Sequence, residues 1–152
     1  ERADARGWGV ARLCCSDPVH SLEALRASAR AARELLDYAR SRLPGQRVVG
    51  LDGHRLASLL FSQRDNWQVR QLLAPLQRVL DHDPQGLLAA TLACWCAHDG
   101  HAQACAQALG IHRNSLRYRL ERIASISGLD LGRLEHRQQL LLGLQLLVPR
   151  RG

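Results

Sequence analysis

Between Ala102 and Ile123 the sequence reads AQACAQALGIHRNSLRYRLERI, and the glycine in its middle constrains the chain more than any other residue. A first helix has to end and reverse there, and a residue without a Cβ enters the left-handed conformation of such a stop at least cost. Leu109 and Ile111 flank the turn and bury inward. Ala104, Cys105, Ala106 and Ala108 keep the first helix thin enough for a second to cross it closely, as a helix-turn-helix requires. On the second helix, expected over about residues 112–126, Leu116, Leu120 and Ile123 recur at i, i+4 and i+7 and form one inward stripe. The opposite side then carries Asn114, Arg117, Tyr118 and Glu121, with Arg113 at the helix start. Arg forks onto guanine, Asn pairs with adenine, and hydroxyls and helix-start N–H groups hold phosphates, so this face suits double-stranded DNA.

The run IHRNSLRYRLERI, continued by SGLDL at Ser127 to Leu131, resembles the C-terminal helix-turn-helix of the PucR/CdaR family of bacterial transcriptional regulators. It is similar more loosely to Fis-type DNA-binding domains. The resemblance covers the second half of the chain and implies a sequence-specific DNA-binding regulator whose second motif helix enters the major groove. Arg113, Asn114 and Arg117 would reach base edges, while His112, Ser115 and Tyr118 would sit on phosphates or bases and Arg122 on a phosphate. Arg119 lies on the shoulder of the inward stripe, where pairing with a carboxylate of a neighbouring helix competes with DNA contact. One such unit touches too few base pairs for a specific site, so a homodimer on a two-fold related sequence is expected. In this family a small-molecule effector is sensed by N-terminal regions, which are not visible in this chain. The competing reading is a helical dimerisation or interaction module whose basic face is only solvated.

Composition bounds the rest. A chain of 152 residues suffices for one domain or two small ones. All 21 basic residues are Arg, and the net charge of +7 is spread over both halves, so charge alone does not identify a nucleic-acid binder. There is no Met, from which a fragment or processed product is expected. No stretch reaches the roughly eighteen apolar residues of a membrane span and no signal-peptide pattern opens the chain, so a soluble cytoplasmic protein without membrane contact is the expectation. Five cysteines, an odd number, read as reduced thiols.

The expected organisation is mostly α: a small α+β segment over residues 1–62, then a helical helix-turn-helix domain over 63–152. Gly7 to Cys15 suits a strand. Asp17-Pro18 signals a helix start, with Asp as cap and Pro at the first helical position. Leu22, Leu25, Ala29, Ala32, Leu36, Ala39 and Leu43 then form an apolar stripe, supported by Arg30 with Glu34 and Arg33 with Asp37 at i, i+4. Arg47 to Leu51 is a second strand and Gly53 to Phe61 a short helix. This part resembles, more weakly, the end of the GGDEF-like domain that often precedes the helix-turn-helix in the same family. It lacks the GG(D/E)EF run and any nucleotide site, which makes it a packing or dimerising remnant.

Further along, Pro75 is expected to kink or split a helix over Trp67 to Leu80. Asp83-Pro84 repeats the start signal for a helix that presents Leu88, Leu92 and Trp95 and stops at Gly100. Gly100-His101-Ala102 offers the next helix only a weak cap. The segment Leu134 to Val148 is too rich in leucine for one stripe, so it should bury more than one side and pack across the helix-turn-helix, leaving apolar surface to a second subunit. Pro149 to Gly152 reads as a frayed basic end.

Other chemistries fit less well. Cys94, Cys96, His98, His101 and Cys105 cluster within twelve residues, but their spacing matches no standard zinc finger, and cysteines also pack as small hydrophobes. His98-Asp99 lacks the further ligands a metal phosphohydrolase needs, and no nucleophile, base and orienter assemble. Neither a metal, a cofactor nor an enzymatic activity is expected.

Overall fold

The computed structural model describes residues 12–148. They are mostly helical, with seven helices and one two-stranded sheet, and divide into two compact units, the first built from residues 12–64 and the second from Asp65–Leu147.

In the first unit β1 (Leu13–Cys15) and β2 (Val48–Gly50) pair in parallel, with Leu13 opposite Val48. The crossover between them is α1 (Leu22–Arg42), and α2 (Arg55–Ser62) follows β2. Only the end of the expected first strand is seen, since Gly7 to Ala11 lie outside the described residues, as does Pro149 to Gly152. The Asp17-Pro18 start is corrected. The cap of α1 is Ser21, whose Oγ accepts from the Ala24 N–H at 3.1 Å, because the Asp17 carboxylate is taken by Arg55 of α2. The stripe also shifts: Leu22 and Leu25 are exposed, and the buried side of α1 is Leu35, Tyr38 and Ala39, leading into Leu43. Tyr38 meets the Phe61 ring edge-on at 5.8 Å, and the guanidinium of Arg64 lies 4.7 Å from the Phe61 centroid on another side. That aromatic centre draws the helix about its axis, away from the leucines of its first turns. Among the described residues no ion pair joins Arg30 to Glu34 or Arg33 to Asp37; those present are Asp17–Arg55, Arg117–Glu121 and Arg133–Glu135.

The second unit is a bundle of α3 (Trp67–Asp81), α4 (Leu87–Ala97), α5 (Ala102–Ala108), α6 (Arg113–Ser127) and α7 (Leu134–Leu147). Pro75 does not split α3, which is one helix with Val69, Leu73, Leu76 and Val79 buried on both sides of the proline. In the turn ahead of Pro75, the Leu72 carbonyl accepts from Gln139 Nε2 of α7 at 2.9 Å. The Asp83-Pro84 signal is displaced by three residues. Gly86, at φ 71°, precedes the first residue of α4, and the Asp83 carboxylate reaches forward to the Ala89 N–H at 2.8 Å. Asp83 therefore caps the helix, but Pro84 lies in the turn before it.

The leucine-rich α7 packs against α3 and α4, not across α5 and α6. Its buried residues, Leu140, Gly143, Leu144 and Leu146, do span more than one side of the helix. Gly143 sets the approach of α3: a Cβ there would lie 2.8 Å from Leu76 Cδ2 and 3.2 Å from Leu76 Cβ. Gly143→Leu is therefore expected to overpack the α3–α7 contact and cost about 1–3 kcal/mol, measured by urea unfolding. Unchanged stability would show that this contact is not close-packed.

Candidate nucleic-acid interface

The link between α5 and α6 is built by the backbone. Helix α5 ends at Leu109; Gly110 follows at φ 63°, its N–H donating to the Gln107 carbonyl at 3.1 Å, and the Ile111 N–H donates to the Ala106 carbonyl at 3.0 Å. These two bonds satisfy carbonyls that the helix end would otherwise leave open, which is the Schellman stop. Behind the turn, Cys105, Ala106 and Leu116 form a buried cluster joined by Trp95, Leu109, Ile111 and Leu120. The small Cys105 and Ala106 let α6 come close, and Leu116 fills the angle between the helices.

The same device turns α4 into α5. Asp99 takes the left-handed position at φ 50°, its N–H donating to Cys96, and the Gly100 N–H donates to the Trp95 carbonyl at 2.9 Å. The His98-Asp99 pair thus belongs to a turn. His101 caps α5 without a side-chain hydrogen bond, matching the weak cap read from sequence.

Helix α6 begins at His112, whose Nδ1 accepts from the Asn114 N–H at 3.2 Å. His112, Arg113, Asn114, Ser115, Arg117, Tyr118 and Arg122 are all exposed, whereas Leu116 and Ile123 are buried and Leu120 is half-buried. Tyr118 is a large aromatic left 62% open. Among the described residues none holds the side chains of Arg113, Asn114, Ser115, Tyr118 or Arg122 in a hydrogen bond. Arg117 lies 3.8 Å from Glu121 with both side chains in solvent, a pair of little strength. Arg119 differs from its neighbours. Half-buried, it has its Nη1 3.4 Å from Oγ1 of the buried Thr91 of α4, which itself donates to the Leu87 carbonyl. Its partner is a hydroxyl, not a carboxylate.

The helix stands as a ridge between two grooves. One, of about 400 Å³, is lined by Arg113, Arg117 and Glu121 with Trp95 and Ala102. The other, of about 580 Å³, has Ser115, Tyr118, Arg119 and Arg122 on one side and the turn ahead of α4 on the other. At the far end Gly128, at φ 74°, stops α6, and Arg78 of α3 donates to the Ser127 carbonyl at 2.7 Å.

Residues 88–146 match the PucR C-terminal helix-turn-helix domain. The chain belongs to the PucR/CdaR family of transcription regulators. It is 41% identical over 119 residues to a protein of Escherichia coli (strain K12) named carbohydrate diacid regulator, an alignment covering 78% of this chain and 31% of that protein. It is also 31% identical over 121 residues to an uncharacterized protein of Haemophilus influenzae, covering 80% of this chain and 33% of the other. A third relative, an uncharacterized protein of Thermomonospora curvata, is 37% identical over 89 residues, 59% of this chain and 48% of that one. The chain thus spans about a third of the length of the first two relatives. No solved structure matches.

In this PucR-type domain α5, the turn at Gly110 and α6 form a helix-turn-helix. Its cysteines are packed: Cys94 Sγ lies 3.6 Å from the Cys105 carbonyl and Cys96 Sγ 3.8 Å from that of Arg137, and burial above all pushes the Cys105 thiol up to about 12. Among the described residues no group of three or more His, Cys, Asp or Glu is placed to hold a metal ion. Residue spacing along α6 did not point to the wall ahead of α4, because its residues come from some thirty positions earlier.

A Cβ at Gly110 would touch nothing within 4 Å, so replacing it tests the backbone alone. Gly110→Ala should cost about 1–2 kcal/mol and Gly110→Asn less, since Asn tolerates the left-handed region. Equal losses in thermal unfolding would mean that the turn does not need a positive φ.

Proposed function

We propose that this chain reads a specific operator sequence by laying α6 in the major groove of double-stranded DNA, as a homodimer on two-fold related half-sites. Arg113, Asn114 and Arg117 contact base edges, His112, Ser115 and Tyr118 contact phosphates or bases, and Arg122 contacts a phosphate. The observation that carries this is the exposed face of α6: cations, amide and phenol in solvent, engaged by the protein only in the loose Arg117–Glu121 pair, on a helix packed from behind by Leu116 and Ile123. A helix with its side chains is about 10–12 Å across and the major groove about 12 Å wide, so the ridge fits and the grooves flanking it face the two backbones. No helix among the described residues is long and apolar enough to cross a membrane. The relationship to transcription regulators supports a cytoplasmic binding protein without catalysis.

Residues 63–152 make up the DNA-binding domain and 1–62 an α+β packing or dimerising element derived from a GGDEF-like domain. The aligned stretch shared with the carbohydrate diacid regulator is longer than residues 65–152 and so extends into that element. Control of transcription by a small-molecule effector, sensed outside this chain, follows the same relationship.

Operator selection with this chain, followed by Arg117→Ala, tests the reading. The variant should lose about 1–3 kcal/mol and relax specificity at one base pair, whereas Arg122→Ala should weaken all sequences alike. Light scattering should find two chains per operator, with half-sites a helical turn or a multiple apart. Equal binding by Arg117→Ala and the parent would reject the base-reading role, and one chain per operator would reject the dimer.

A further inference from the structure

The groove of about 580 Å³ beside α6 has a second wall, the turn at residues 82–87 between α3 and α4, which precedes the stretch 88–146 matched by the family. We propose that this turn is part of the DNA-binding surface, with the Gln85 amide donating to a backbone phosphate of the strand that runs along α6 opposite Arg119 and Arg122. The proposal rests on the major-groove reading of α6 and adds to it a contact from outside the helix-turn-helix.

Three features make the groove fit a phosphodiester. First, α6 brings two arginines to the groove: Arg119, whose guanidinium reaches Thr91 of α4, and Arg122, which is exposed. Second, its one acid is Asp83, whose carboxylate is committed to the Ala89 N–H at the start of α4. A carboxylate bonded to a helix N-terminus is partly compensated by the dipole, so it opposes an incoming anion less than a free one would. Third, the turn is preset. The Gly86 N–H donates to the Asp83 carbonyl at 3.0 Å, Gly86 sits at φ 71°, and His82 Nδ1 lies 2.8 Å from the Arg78 carbonyl. Gln85 is thereby held exposed at the rim. When a helix fills the major groove the flanking backbone has to pass along its sides, and here it enters a channel with cations on one side and an amide on the other.

The test uses the whole chain and duplexes carrying the selected operator or random sequence. Gln85→Ala should weaken both by a similar factor, about threefold to tenfold for one hydrogen bond to a charged oxygen. Gln85→Arg should bind both more tightly and steepen the salt dependence by about one phosphate, a gain that misfolding does not produce. A neutral methylphosphonate at the facing backbone position should weaken the parent but have no further effect on Gln85→Ala. Additive losses at every methylphosphonate position, or unchanged affinity in both variants while the parent binds DNA, would overturn the contact and leave the α6 reading intact. A parent chain that binds no duplex would overturn both.

Discussion

The second unit depends on the reversal at Gly110. Two backbone hydrogen bonds, from Gly110 to Gln107 and from Ile111 to Ala106, end α5 and launch α6 in one step, and the second requires the positive φ of residue 110. The angle they set would be worthless if the helices stood apart. Cys105 and Ala106 are small enough to let Leu116 sit between them, and this cluster joins Trp95 of α4. From there the support passes outward: α4 and α3 hold α6, α7 holds α3 and α4, and the Gly143–Leu76 approach fixes how close that last layer comes. The ridge presented by α6 is thus the outermost result of successive close contacts, each made by a small residue facing a large one.

Charge is arranged by the same scaffold. With no Lys in the chain, every cation is a planar fork suited to bidentate contact, and the structure sorts these forks by how they are held. Arg78 and Arg137 donate to backbone carbonyls around the turn after α6, and Arg119 is drawn to Thr91. Arg113 and Arg122 are left in solvent, with Arg117 only loosely beside Glu121. A surface pair of that kind exchanges its partner at little cost, so Arg117 is available to a base without a large desolvation penalty.

Much of this was readable from residue order alone. Gly110, the inward stripe of α6 and the crowded leucines of α7 are local signals, in which sterics or helical period decide the outcome. The errors have a common cause. At Asp17 a good capping residue found a stronger partner in Arg55, and Ser21 took over the cap. At Asp83 the capping carboxylate was real, but three residues of turn intervened before α4. In α1 the aromatic pairing of Tyr38 with Phe61 outweighed the leucines at its start. In each case a partner distant in sequence outweighed a local preference. The groove wall at residues 82–87 is the same effect at the candidate site, since only folding brings it beside α6.

The central claim is that the exposed cations of α6 meet DNA. It is tested most directly by measuring affinity for a random duplex across salt concentrations, for the parent chain and for Arg113→Ala/Arg117→Ala. Counterion release predicts a linear fall of log affinity with log salt, and the double variant should bind more weakly with a shallower slope for each phosphate its arginines neutralise. A parent that binds no duplex at low salt, or a double variant indistinguishable from it in both affinity and slope, would contradict the account.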